Sequence, residues 1–171
     1  TRVQDYTLKG LMGRELKDLT VGVIGTGRIG RTVLKNLSGF GCKLIAYDVY
    51  ENEEVKNSGV TYVTLDEMWK QADVITLHAP LTEDNHHMIN KEAISKMKDG
   101  VMIVNTARGG LIDSEALISG IESGKIGGAG LDVVENEFGL YYYDHKEDIL
   151  CNRELSILRG FPNVTVSHHM A

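Results

Sequence analysis

The residues best placed to do chemistry fall into short clusters, and the first is Gly25-Thr26-Gly27-Arg28-Ile29-Gly30. This G-x-G-x-x-G run follows a β-branched stretch and opens a helical pattern, the context in which such glycines carry meaning. The first glycine permits a tight turn, the second lets a diphosphate approach the backbone, and the third lets helix and strand pack closely. The anion would then rest on the helix N-terminus, with the amides of Arg28 and Ile29 as donors. Asp48 stands 18 residues after Gly30, where a carboxylate accepts hydrogen bonds from both hydroxyls of an adenosine ribose and repels a 2′-phosphate. Residues 49–53 contain no Lys or Arg to neutralise such a phosphate, so NAD is expected over NADP.

Glycine turn and acid together also suit S-adenosylmethionine-dependent methyltransferases, so the remaining clusters must discriminate. These are His78-Ala79-Pro80-Leu81-Thr82, Asn105-Thr106-Ala107-Arg108-Gly109-Gly110, Leu131-Asp132-Val133 with Glu135 and Glu137 beyond it, and Ser167-His168-His169. Each lies at the carboxyl end of an apolar run. In open α/β sheets that edge is where ligands bind.

The elements that must position these clusters alternate regularly. Short runs rich in Val and Ile at 20–24, 43–47, 74–77, 101–104, 130–134 and 163–166 read as buried parallel strands. Helical patterns at 28–37, 65–71, 90–97, 114–123 and 149–158 lie between them, while Gly59-Val60 and residues 124–128 read as turns. The order predicts one α/β domain, a doubly wound parallel sheet of the Rossmann kind, covered by helices on both faces.

Composition narrows the function classes. The 171 residues are 42% hydrophobic and 25% charged, ordinary for one globular domain. A formal charge of −6 argues against a nucleic-acid partner, and the absence of a long apolar run argues against a membrane span. A cytoplasmic location is expected. Cys42 and Cys151 lack metal-ligand spacing and read as plain thiols, which excludes a disulfide scaffold. His86, His87 and His145 have no motif partners and read as solvated or packing residues, so no metal is expected.

Taken in order, the glycine turn with Asp48, His78 to Thr82, Asn105 to Gly109, Leu131 to Glu137, and Pro162-Asn163-Val164 leading into His169 resemble the nucleotide-binding domain of the D-isomer-specific 2-hydroxyacid dehydrogenases. The D-lactate and D-2-hydroxyisocaproate branch is the most similar. The resemblance implies an NAD-dependent oxidoreductase acting on a small 2-oxo or 2-hydroxy acid. It places Ala79, Pro80 and Asn85 along the cofactor cleft, Thr106, Ala107 and Arg108 beside the nicotinamide, and Asp132 on its carboxamide. It also makes Arg108, Glu137 and His169 the catalytic trio.

The chemistry asks for those residue types independently. Reducing a 2-oxo acid needs a cation for the carboxylate, a hydride, and a proton for the developing alkoxide. A guanidinium meets a carboxylate with two parallel hydrogen bonds, which fixes the face presented to the hydride. A histidine titrates near neutrality and serves as the acid, and a neighbouring carboxylate orients its ring and favours imidazolium. The plainer readings pair Arg108 with a structural acid, make Asp132 a turn cap and place Glu137 among the solvated acids of an acidic loop. His168 stands where relatives commonly carry proline and competes with His169, which keeps the family spacing from Asp132. The aromatic run Tyr141-Tyr142-Tyr143, followed by Asp144-His145-Lys146, reads either as a substrate mouth or as packing.

Relatives bind substrate between this domain and a second one, so residues 1–171 are expected to be the dinucleotide-binding domain alone. That domain would bind cofactor without efficient turnover, and a homodimer is implied by the same resemblance. The alternative is an NADH-sensing binding module of the corepressor type.

Overall fold

The computed structural model describes residues 13–136 and 152–170. Seven strands form one sheet: β1 (Thr20–Ile24), β2 (Lys43–Tyr47), β3 (Thr61–Tyr62), β4 (Val74–Leu77), β5 (Val101–Asn105), β6 (Ile126–Leu131) and β7 (Val164–Val166). Their order is β3-β2-β1-β4-β5-β6-β7, and every pairing is parallel. Chain direction across the sheet therefore reverses between β1 and β4, which opens a crevice at their carboxyl ends. The connecting helices are α1 (Arg28–Ser38), α2 (Glu53–Lys56), α3 (Leu65–Gln71), α4 (Lys91–Lys96), α5 (Ser114–Glu122) and α6 (Arg153–Gly160), with a 3₁₀ turn at Gly109–Leu111.

Strand alternation sends neighbouring side chains to opposite faces, and two apolar clusters result. Val23 and Ala46 pack with Leu34 of α1 and Val55 of α2 on one side. Ile24, Ile45, Ile75 and Ile103 pack on the other with Met68 and Trp69 of α3, Leu117 of α5 and Leu158 of α6. Each fully buried Val, Leu or Ile contributes about 1.5–3 kcal/mol, so the sheet is pinned from both faces and its upper rim is held rigid.

Two sequence expectations are corrected. The turn expected over 124–128 belongs in part to β6, which starts at Ile126 and ends at Leu131, so residues 132–134 lie beyond the strand. Glycine composition hides it: a Cβ at Gly127 would stand 2.6 Å from the Gly100 carbonyl oxygen, so close packing of the strand requires the residue that elsewhere signals a turn. The sixth helix begins at Arg153, four residues later than its apolar pattern suggests, because the Asn152 side chain accepts from the Leu155 amide and sets the start. The short strand β3 and helix α2 are additions to the six runs and five helices read from sequence.

Candidate functional site

Helix starts show where an anion fits. Asn52, Thr64, Asn90, Asp113 and Asn152 each cap a helix with a side-chain oxygen. The cap of α1 is Gly27, which has no side chain to offer, so the first amides of that helix stay available. A Cβ at Gly27 would meet nothing within 4 Å, leaving open space above those amides. Gly25 has φ +92°, and a Cβ there would stand 2.6 Å from the Ala79 amide nitrogen; at Gly30 it would stand 1.9 Å from the Gly25 carbonyl oxygen. The three glycines thus serve a left-handed turn, an open approach and a close helix contact. Arg28 and Ile29 are exposed at the helix start.

Asp48 is half-buried at the end of β2 and ties the adjacent loops together. Its Oδ2 accepts from the Thr26 amide at 2.6 Å and the Thr26 hydroxyl at 3.0 Å, and its Oδ1 accepts from the Tyr50 amide at 3.1 Å. The Tyr62 hydroxyl donates to Thr26 Oγ1 at 2.8 Å and accepts from the Asn52 amide. A carboxylate has about four acceptor positions, so Asp48 keeps capacity for a ribose hydroxyl while its orientation is fixed. Thr26 and Tyr62 were not singled out from sequence. A threonine inside the glycine turn, facing an acid at the next strand end, is the signal that could have raised the first.

A cavity of about 290 Å³ is lined by Ile29, His78, Ala79, Pro80, Thr106, Ala107, Arg108 and His169. The ends of β4, β5 and β7 and the start of α1 converge on it. Asn105 shapes the turn that presents Arg108: its buried side chain accepts from the Ala107 amide at 3.0 Å and donates to the Arg108 carbonyl at 2.9 Å. The Arg108 guanidinium donates to the Ala107 carbonyl, and among the described residues it is paired with no carboxylate. Gly109 lets this turn touch the segment beyond β6, since a Cβ there would stand 2.1 Å from the Val134 carbonyl oxygen.

His169 reaches the cavity by a route different from strand alternation. β7 ends at Val166, and His169 has φ +56°, a left-handed turn that leaves His168 exposed and His169 half-buried. Asp132 brackets that turn: Oδ1 accepts from the Ser167 hydroxyl at 2.5 Å and from the Met170 amide at 3.0 Å. The carboxylate, only 5% exposed, thereby fixes the residues on either side of His168-His169. Ser167, quoted in its cluster from sequence without a role, gains one here as a donor to Asp132. Asn85 uses its side chain to close its own loop, accepting from the Thr82 amide and donating to the Pro80 carbonyl, which holds Pro80 at the cavity wall. Glu137, Cys151 and the run Tyr141 to Lys146 lie outside the described residues. Cys42 is a buried free thiol.

Burial pushes the His78 imidazole below its ordinary range, and its Nε2 meets Thr76 Oγ1 at 2.9 Å. The unfolded chain binds a proton at this position near pH 6.5, whereas the folded chain resists it. Stability is therefore expected to fall as pH drops below about 6.5 toward the lower folded value, and to level off beneath it. His78→Asn should flatten that slope in urea melts taken between pH 7 and pH 5.

His86 and His87, expected to lack partners, are drawn to Glu135. His87 Nε2 lies 2.5 Å from Glu135 Oε1, and the two imidazole rings stack with centroids 3.8 Å apart.

Sheet order, reversal point and glycine turn define a dinucleotide-binding α/β domain. The match to known families is equally direct: residues 1–171 fit the description "D-isomer specific 2-hydroxyacid dehydrogenase, NAD binding domain", and the chain belongs to that family. An aromatic 2-oxoacid reductase of Clostridium sporogenes is 54% identical over 169 residues, covering 98% of this chain and 51% of the relative. The pyruvate reductase of Chlamydomonas reinhardtii superposes with a TM-score of 0.92 at 46% identity, over 98% of this chain and 52% of that one. A D-lactate dehydrogenase from Aquifex aeolicus, solved with NAD and lactic acid, gives 0.86 at 45% identity, over 98% and 50% of the two chains. The chain spans about half the length of the relatives it matches. No helix among the described residues is long and apolar enough to cross a membrane.

Proposed function

We propose that this chain is the NAD-binding half of a D-2-hydroxyacid dehydrogenase that interconverts 2-oxo acids and D-2-hydroxy acids. The observation that carries the reading is the shared cavity of Arg108 and His169 beside the start of α1. The residues fit the dinucleotide: the uncapped α1 amides with the open space at Gly27 suit a diphosphate, and the residual acceptor capacity of Asp48 suits a ribose. When bound, NADH supplies the hydride for reduction. Thr106, Ala107, Ala79 and Pro80 wall the cavity in which its ring would lie, and Asp132 lies next to that wall on the His169 turn.

Arg108 binds the substrate carboxylate through its fork of donors and so orients the 2-oxo carbon. His169 gives its proton to the oxygen that becomes the hydroxyl and takes it back in the reverse direction. Glu137 is assigned the orientation of that imidazole. The substrate side chain meets walls supplied by sequence outside these residues, because relatives of this family run to about twice the length. Efficient turnover therefore belongs to the complete protein, with proximity worth on the order of 7–11 kcal/mol once both halves close. The same reading takes the complete enzyme as a cytoplasmic homodimer, the assembly being measurable by light scattering.

Gly27→Val tests the cofactor site. Its Cβ meets no protein atom, so the variant should fold with an unchanged circular dichroism spectrum while filling the diphosphate space. NADH titration by fluorescence is expected to show saturable binding for the parent chain and at least about 10-fold weaker binding for the variant, a loss of 1.4 kcal/mol or more. Failure of the parent chain to bind NADH would sink the reading.

A further inference from the structure

Adjacent residues on an extended chain point apart, yet His86 and His87 face the same way. His87 has φ +53°, and its amide donates to the Gly110 carbonyl at 2.8 Å, which holds the turned backbone in place. The two rings consequently stack, with 27° between their planes, and both Nε2 atoms face Glu135 Oε1, at 4.0 Å from His86 and 2.5 Å from His87. Glu135 comes from the segment beyond β6, 48 residues away in sequence from His87. Its other oxygen, Oε2, accepts from the Ser114 amide at the start of α5 at 3.4 Å, and its carbonyl accepts from Asn152 Nδ2 at 3.3 Å. The carboxylate is thus aimed from behind, leaving one oxygen for the imidazoles.

We propose that His86, His87 and Glu135 form a binding site for a divalent transition-metal ion, zinc being the natural occupant. Three ligand atoms from two distant segments lie within 4.8 Å of one another. Zinc takes nitrogen and oxygen ligands at about 2.0–2.2 Å in a tetrahedron, which separates ligand atoms by about 3.3 Å. Reaching that spacing asks His87 to withdraw by under about 1 Å and His86 to approach by a similar amount, movements within the reach of side-chain torsions. Two imidazoles and one carboxylate suit zinc, copper or nickel, whereas magnesium and calcium prefer all-oxygen shells. The Ser114 amide supplies the outer contact that orients a ligating carboxylate. The His86 and His87 side chains are 52% and 33% exposed, so an ion enters from solvent and a water completes the shell.

The site is separate from the dinucleotide cavity, whose lining includes none of the three residues. It joins the loop between β4 and α4 to the segment that touches Gly109, directly behind the turn carrying Arg108. An ion there would staple the two segments that frame the substrate-binding arginine. The assignment stands independently of the dehydrogenase reading.

The test is titration of tag-free, chelator-treated protein with cobalt(II), followed by displacement with zinc. One cobalt per chain with a visible ligand-field band is expected, and zinc should remove the band and raise the thermal midpoint by about 4 °C or more. His86→Ala, at an exposed position outside the cavity, should weaken cobalt binding at least 10-fold while leaving NADH binding unchanged. Glu135→Gln should weaken it similarly. Absence of saturable cobalt binding, or equal affinity in parent and His86→Ala proteins, overturns the proposal. NADH titration of the same samples reports separately on the dehydrogenase reading.

Discussion

Replacing Arg108 with lysine is expected to lower kcat/KM of the complete enzyme for a 2-oxo acid by about 10- to 100-fold, with NADH affinity held within about threefold. The charge survives the substitution, so the loss comes from geometry. Lysine is a compact point charge that swivels, whereas the guanidinium holds a carboxylate by two parallel bonds and presents one face of the carbonyl. One charge-assisted hydrogen bond is worth about 1.5–3 kcal/mol, which is the stated range in rate. The structure makes the change clean. Arg108 is exposed in the cavity, donates to the Ala107 carbonyl, and supports no ion pair among the described residues. Its turn is shaped by Asn105 rather than by the guanidinium itself. Steady-state kinetics with pyruvate and a bulkier 2-oxo acid would check the prediction; an unchanged kcat/KM for both would remove Arg108 from the substrate site.

His169→Gln is expected to cost more, about 10²- to 10⁴-fold in kcat, the usual worth of a positioned acid or base. Glutamine keeps polarity and approximate size, so NADH binding and fold should persist while the transferable proton is lost. The parallel substitution His168→Gln should leave kcat within about twofold, because His168 is exposed and only His169 lines the cavity. That pair of variants decides between the two histidines directly. Equal losses in both would point to damage of the Asp132-braced turn instead of loss of a proton donor.

The outline of this domain is legible in sequence where physics is local. β1, β2 and β4 start and stop where their β-branched runs do, and α3 keeps its expected bounds because Thr64 and Glu67 form a reciprocal cap at its start. β6 was obscured because its glycines are dictated by a neighbouring backbone, a contact that periodicity does not register. The clusters at strand ends could be listed from sequence, but the devices that aim them could not. The left-handed turn at His169 and the bonds from Asp132 to Ser167 and Met170 depend on two chain segments meeting. The same holds for His87 and Glu135, which belong to no shared motif and are neighbours only because Gly109 lets two segments touch. An asparagine at the end of β5, immediately before a turn, was the available hint for Asn105.

Among the described residues the sheet is bounded by β3, with two residues, and by β7, with three. Strand margins this brief offer a foreign chain few backbone groups to pair with, which discourages the open-ended stacking that long, flat margins invite. The half-length polypeptide should therefore remain dispersed at the concentrations that ligand titrations demand.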